Sequence, residues 1–312
     1  MELQHLRDAL RGVMAFSPTL MSADGHLDLT SHRRQIDFLA ASGVGSIVVC
    51  GGVGEFWTLD EVEYRHIVRE SVDAAAGRVP VLAGVGHSTD IAARLARVAA
   101  DAGADGLLVN PLYFVRPELD GLAAHYRHLG DVSGLGLVVF STSGAVYGAD
   151  ELERLAEVEA AVAVKDEVGD LEHFERCVDR LGDRYAWING MAELPAADYA
   201  ERGAVTMTSG LVNLDPSLAI SVWNAATAGD RATHARLVEE RIRPIAALRT
   251  ARPGYHITVI KEALALMGRS SAAVRLPLLP LREDERAQLA HVLVTAGYHD
   301  NGAPSDSATS TV

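Results

Sequence analysis

The sequence predicts an α/β protein: a closed parallel (β/α)8 barrel of the TIM type, followed by a C-terminal helical extension. Three observations predict it. Eight apolar runs of strand length recur along the chain, segments of helical periodicity separate them, and several of those segments end in a glycine turn leading straight into the next run. Runs that are apolar almost throughout belong to a sheet covered on both faces, so the sheet is parallel with its helices outside. Eight such units favour closure over an open doubly wound sheet, which also lacks its Gly-x-Gly-x-x-Gly turn after the first run.

The predicted strands cover residues 13–16, 46–50, 79–85, 106–109, 136–140, 161–165, 185–188 and 204–208. Between them, residues 60–76 have apolar positions at Val62, Ile67, Val68 and Val72, and residues 89–102 and 170–181 show the same helical spacing. Gly43, Gly103 and Gly203 follow helical segments, where glycine accepts the left-handed conformation that stops a helix. Past the eighth run only helical patterns remain, over 216–228, 231–250, 255–267 and 283–294, punctuated by Gly229-Asp230, Arg252-Pro253-Gly254 and the Pro-rich 276–280. The barrel is therefore expected over residues 11–225 and a helical region over 226–300, serving oligomer contact or support rather than chemistry. Residues 301–312, rich in Ser, Thr, Asp and Ala, are expected to be disordered.

A chain of 312 residues, 48% hydrophobic, has the material for one large core or two ordinary ones. Its net charge of -14 disfavours nucleic acid and anionic membrane as partners, since both repel an acidic surface. Residues 1–12 lack an apolar signal-peptide core, and no run is long enough to span a membrane. Cys50 and Cys177 stand far apart without metal-ligand spacing, which fits a reducing cytoplasm and neither disulfide framework nor zinc site. No His/Asp/Glu cluster has ligand spacing either, so no metal or other cofactor is expected.

Of 28 basic residues, only Lys165 and Lys261 are lysines. Lysine can shed its proton and become a nucleophilic amine, whereas arginine stays charged. In a parallel barrel the site forms where strands end at the C-terminal face. That selects Ser17 and Thr19, the Gly51-Gly52-Val53-Gly54-Glu55 turn, Gly86-His87, Asn110 and Tyr113, Phe140-Ser141-Thr142-Ser143, Lys165-Asp166, Asn189-Gly190 and Thr208-Ser209-Gly210. Lys165 closes an apolar strand, where desolvation would lower its pKa and free an amine to attack a ketone. The alternative is a rim ion pair with Asp166 or Glu167. The glycine turn offers backbone N–H groups to a carboxylate, or is a plain tight turn.

Gly51-Gly52-Val53-Gly54-Glu55-Phe56-x-x-Leu59, Ala83-Gly84-Val85-Gly86, Pro111-x-Tyr113 and the strand-ending Lys165 resemble the dihydrodipicolinate synthase/N-acetylneuraminate lyase superfamily. Glu55-Phe56, the spacing after Pro111 and Lys165-Asp166-x-Val168-Gly169-Asp170 are most similar to its 5-dehydro-4-deoxyglucarate dehydratase members. The resemblance implies a homotetramer or dimer in which Lys165 forms a Schiff base with a small-molecule 2-keto acid. It also implies that Gly52, Val53 and Gly54 contact the acid's carboxylate and that Tyr113 is an aromatic near the subunit interface. Two departures stand out: Phe140 replaces the tyrosine whose hydroxyl relays protons, and Val53 replaces a threonine of the carboxylate site. Proton transfer by a positioned group contributes about 10²–10⁴ in rate, so something else must supply it. His87, Ser141, Thr142, Ser143 and Ser209 are candidates, although a loop histidine and a plain hydroxyl-rich turn are equally consistent with the pattern.

The expected catalytic set is thus Lys165, Phe140, Tyr113, His87 and Ser141, with Thr19, Gly51, Gly52, Val53, Gly54, Asn110, Ser143, Asn189, Ser209 and Gly210 binding substrate. The expected function is a class I Schiff-base lyase acting on a 2-keto acid or sugar-derived keto acid, by dehydration or aldol chemistry. A specialised biosynthetic aldolase or dehydratase with an altered proton relay, a keto-acid-binding protein on a retired scaffold and a metal-dependent aldolase are the alternatives.

Overall fold

The computed structural model describes residues 1–112 and 115–298. Its parallel strands close in sequence order: β1 (Gly12–Phe16), β2 (Ser46–Val49), β3 (Val81–Val85), β4 (Gly106–Val109), β5 (Gly136–Thr142), β6 (Ala161–Glu167), β7 (Ala186–Asn189) and β8 (Thr206–Ser209). The eighth returns to the first, with Gly12 opposite Thr206 and Ala15 opposite Ser209. The expected tail at residues 301–312 and Tyr113 lie outside the described residues.

An N-terminal helix α1 (Leu3–Ala9) precedes the barrel. The sheath is α2 (Leu29–Ala41), α3 (Glu61–Ala75), α4 (Thr89–Asp101), α5 (Leu119–Ser133), α6 (Ala149–Leu155), α7 (Leu171–Leu181), α8 (Ala196–Glu201) and α9 (Pro216–Thr227). Beyond it come α10 (Arg231–Leu237), α11 (Arg243–Thr250), α12 (Tyr255–Leu266) and α13 (Glu283–Thr295). Gly43, Gly103 and Gly203 all have φ above +90° just past helix ends, as their placement in the sequence predicts.

Alternate strand residues face two cores. Met14, Phe16, Val48, Leu82, Leu108, Val138, Ala163 and Ile188 fill the barrel, while Val13, Ala15, Ile47, Val49, Val139 and Val164 meet the helices. Because both faces are buried, the strands are legible as continuous apolar runs.

Four details depart from the sequence reading. The helix α1 gives no periodic signal, yet Leu6 and Leu10 join the interior cluster and close the N-terminal floor of the barrel. β5 and β6 run two residues beyond the expected Phe140 and Lys165, because Ser141↔Asp166 and Thr142↔Glu167 continue the ladder with polar side chains. The expected single helix over 231–250 contains a π turn, Val238–Ile242, before α11. Pro244 in the first turn of α11 has no N–H to give, which breaks the regular i to i-4 ladder there. Val62, counted among the apolar positions of α3, faces solvent.

Candidate active site

Alternation along β6 sorts its polar residues. Lys165 and Glu167 face the barrel mouth, while Asp166 points outward, where it accepts a 2.8 Å hydrogen bond from the Tyr199 hydroxyl. Phe140 is in register with Lys165 on the adjacent strand. The Lys165 side chain is 4% exposed, too little for bulk water to solvate an ammonium. Its Nζ stands 3.4 Å from the centroid of the Phe140 ring and 5.5 Å from that of Phe16, and it contacts the Glu167 carboxylate. Burial pushes the amine's pKa below the ordinary lysine range, against the opposing pull of Glu167 and Asp166. The outcome is an amine that loses its proton more easily than a surface lysine does.

The turn after β2 lies across the mouth. The amides of Gly52, Val53 and Gly54 donate to no protein acceptor among the described residues, whereas Glu55 N and Phe56 N bond back to the Gly52 and Gly51 carbonyls. A side chain on Gly54 would press within 2.8 Å of Cys50 N, and one on Gly84 within 2.1 Å of the Cys50 carbonyl, so the packed turn requires both glycines. Thr19 donates to the Gly54 carbonyl at 2.7 Å and anchors the turn to the loop after β1. Val53 points its methyl groups into the barrel interior beside Phe16.

Glu55 leaves the turn in a left-handed conformation, φ 52°, and is fully buried. It pairs with Lys261 of α12 at 2.5 Å and accepts Arg275 N at 3.0 Å. The second lysine of the chain therefore clamps the glycine turn to the C-terminal helices.

Those helices also reach the mouth. A Cβ on Gly210, after β8, would lie 2.9 Å from an Nη of Arg249. Among the described residues the Arg249 guanidinium makes one hydrogen bond, Nε to the His256 carbonyl at 3.3 Å. Burial lowers its pKa, with Glu193 attracting it from beyond ion-pair distance. Glu193 is itself buried, its pKa raised by that burial, and it accepts from the Ser209 hydroxyl. His256 is solvent-exposed yet crowded by the walls of the mouth, which lowers its pKa; Arg249 adds to the lowering and Glu167 opposes it.

The structure brings part of the expected set together. Lys165, Phe140, Val53, the glycine turn and Gly210 share the mouth. Asn110 follows β4 and has a buried side-chain nitrogen with no hydrogen-bond partner among the described residues. His87 is exposed after β3, three strands around the barrel from Lys165, and stacks on Phe56 at 4.8 Å. Ser141 faces away from the barrel and accepts from Tyr147 N at 3.0 Å, so its hydroxyl is turned from the amine. Ser143 is exposed at the tip of the short Thr142–Ala145 turn. Asn189 spends both ends of its amide on its own loop, at Ala192 O and Met191 N. Ser209 is committed to Glu193 and to Val212 N. Glu193, Arg249 and His256 were not foreseen. An acidic residue in the loop after β7 was a signal available in the sequence; nothing local marks Arg249 or His256, because they enter from helices that follow the barrel.

Among the described residues no group of His, Cys, Asp and Glu could hold a metal ion, and no helix is long and apolar enough to cross a membrane. The fold and the mouth define a (β/α)8-barrel protein with a buried lysine on its sixth strand and a backbone cradle facing it. Residues 9–296 match the Dihydrodipicolinate synthetase family, and the chain belongs to it.

The chain is 37% identical over 281 residues to a probable 5-dehydro-4-deoxyglucarate dehydratase of Bradyrhizobium sp. (strain ORS 278), covering 89% of this chain and 90% of that one. A probable 5-dehydro-4-deoxyglucarate dehydratase of Saccharopolyspora erythraea is 35% identical over 285 residues, covering 90% and 92%. Among solved structures, dihydrodipicolinate synthase from Bacillus clausii superposes with a TM-score of 0.86 at 29% identity, over 93% of this chain and 98% of that one. Dihydrodipicolinate synthase from Acinetobacter baumannii, complexed with pyruvate, does so with 0.85 at 29% identity, over 93% and 99%.

Proposed function

We propose that the protein is a Schiff-base lyase that dehydrates a 2-keto acid bearing a second polar or acidic end, as the sugar-derived acid in its relatives' names does. The observation that carries this reading is Lys165: a nearly solvent-free amine on β6, at the mouth of the barrel, with its pKa held down by burial. The free amides of Gly52, Val53 and Gly54 supply a place for the carboxylate beside the keto group. Pyruvate bound to the Acinetobacter baumannii relative supports a keto acid as the guest.

The neutral amine adds to the keto carbon, and the carbonyl oxygen leaves as water, giving an iminium on Lys165. The iminium then draws the electron pair of the adjacent C–H bond as that proton departs, forming an enamine. A hydroxyl on the next carbon is expelled as water with the proton that was removed, and hydrolysis of the resulting iminium frees Lys165. Arg249, with Glu193 and Ser209 behind it, offers charge and hydrogen bonds to the far end of a longer acid. Assembly of copies into a dimer or tetramer working in the cytoplasm belongs to the same reading.

Borohydride trapping with pyruvate or a longer keto acid, read by intact mass and peptide mapping, tests it. The expected result is a reduced adduct on Lys165. Keto-acid binding that persists without an adduct and is unchanged in Lys165→Arg supports the retired-scaffold alternative instead.

A further inference from the structure

The Schiff-base chemistry needs a group that takes a proton from carbon and returns one to oxygen, and the expected hydroxyl is missing at Phe140. Of the candidates named from sequence, Ser141 is turned outward, Ser143 is on an exposed tip, His87 follows β3, three strands from β6, and Ser209 is committed to Glu193; Thr142 ends β5 in register with Glu167, but its hydroxyl makes no hydrogen bond to Lys165 among the described residues. One acid–base group does touch the amine. The Glu167 carboxylate contacts Lys165 Nζ, two residues along the same strand and on the same face. Its side chain is 42% exposed, so it reaches both the dry amine and the open mouth where a substrate enters. The Phe140 ring beside them carries no competing hydroxyl.

We propose that Glu167 is the catalytic proton-transfer group of this site, doing through a carboxylate what Phe140 has no hydroxyl to do. The proposal rests on the reading of Lys165 as the Schiff-base residue. Before addition, Glu167 takes the proton of the Lys165 ammonium, leaving a neutral amine and a carboxylic acid. After the amine bonds to the keto carbon, that acid protonates the departing oxygen and the Lys165 nitrogen gives up its second proton to complete the water. The sum converts an ammonium and a ketone into an iminium and one water, with the carboxylate regenerated. Glu167 then accepts the proton from the carbon next to the iminium. The C–H electron pair becomes the enamine double bond, and the C=N pair returns to nitrogen. Delivery of that proton to a neighbouring hydroxyl lets it leave as water. No oxidant, reductant or metal enters the balance.

A rim salt bridge would produce the same resting contact, so the test separates proton transfer from adduct formation. Pyruvate in D2O reports removal of the methyl protons by NMR, and borohydride trapping reports the iminium. In the unsubstituted protein both are expected. In Glu167→Gln the trapped adduct on Lys165 forms more slowly but still accumulates at long times, while exchange slows by about 10²–10⁴-fold. Glu167→Asp, which keeps the carboxylate but withdraws it, falls between. In Glu167→Ala, added formate restores part of the exchange, and Phe140→Tyr combined with Glu167→Gln recovers part of it through a hydroxyl. Matching thermal melts show that the variants are folded. Exchange at an unchanged rate in folded Glu167→Gln overturns the role of Glu167 and leaves the Schiff-base reading standing. Absence of any adduct in the unsubstituted protein overturns both.

Discussion

The two lysines of this chain are alike in burial and opposite in situation. Each amine faces a carboxylate, and burial lowers each pKa. Lys261 and Glu55 are both fully enclosed, and Glu55 has a further partner in Arg275 N. That pair is closed on every side and holds one segment to another. Lys165 has a half-open partner and two aromatic rings beside it at the barrel mouth. A buried amine becomes reactive when what faces it can be exchanged for a substrate; a sealed amine is a bolt.

The sharpest way to break this comparison is to remove each amine in turn. Lys165→Met should abolish trapping and turnover, a loss larger than the about 10²–10⁴ that a proton-transfer group contributes, because no nucleophile remains. Lys261→Met should leave trapping on Lys165 intact in whatever fraction stays folded. In the unsubstituted protein, kcat/KM should rise with pH along a limb below the ordinary lysine value of about 10.4, since burial favours the neutral amine. A limb at or above that value would mean that the charged form persists in the mouth.

Stability should order the two sites the other way. Lys261→Met strands the buried Glu55 charge, and breaking one half of such a pair costs about 3–5 kcal/mol. Chemical denaturation of Lys261→Met and of the double variant with Glu55→Gln measures this. The double variant should regain part of the loss, because it leaves no lone charge behind. Equal stability of Lys261→Met and the unsubstituted protein would remove the clamp from the account.

The barrel was legible because burial on both faces writes each strand as an unbroken apolar run. The ends of β5 and β6 were not, since Asp166 and Glu167 read as loop residues although the ladder continues through them. Lys165 stood out as a lone lysine closing an apolar strand. That same rarity applied to Lys261, and only packing tells the sealed amine from the one at the mouth. Parity along a strand was readable in principle: once Phe140 is set inward, Ser141 must face out and Glu167 must join Lys165. Arg249 and His256 left no such trace, because their helices follow the barrel and were assigned to support.

Arg249 tests whether that second region belongs to the chemistry. Its Nη atoms stand against Gly210 without an ion pair among the described residues. A hydrogen bond to a charged group contributes about 1.5–3 kcal/mol. Arg249→Ala should therefore raise KM for a keto acid with a distal carboxylate by roughly 10–150-fold, with pyruvate exchange nearly unchanged. Equal losses for both substrates would return α11 to a purely structural role.

The smallest expected effect is at the hinge between the two regions. The glycine turn is held from the barrel side by Thr19 and from the helical side by Lys261 through Glu55. Thr19→Val keeps the shape of the side chain and deletes one hydrogen bond to the Gly54 carbonyl, about 1 kcal/mol. If the free amides of Gly52, Val53 and Gly54 bind the carboxylate, loosening this anchor should raise KM for pyruvate by about five-fold and leave the trapped adduct on Lys165 intact at saturation. A fall in kcat with KM unchanged would instead place Thr19 in the transition state, and the turn would then be part of the reacting centre rather than its cradle.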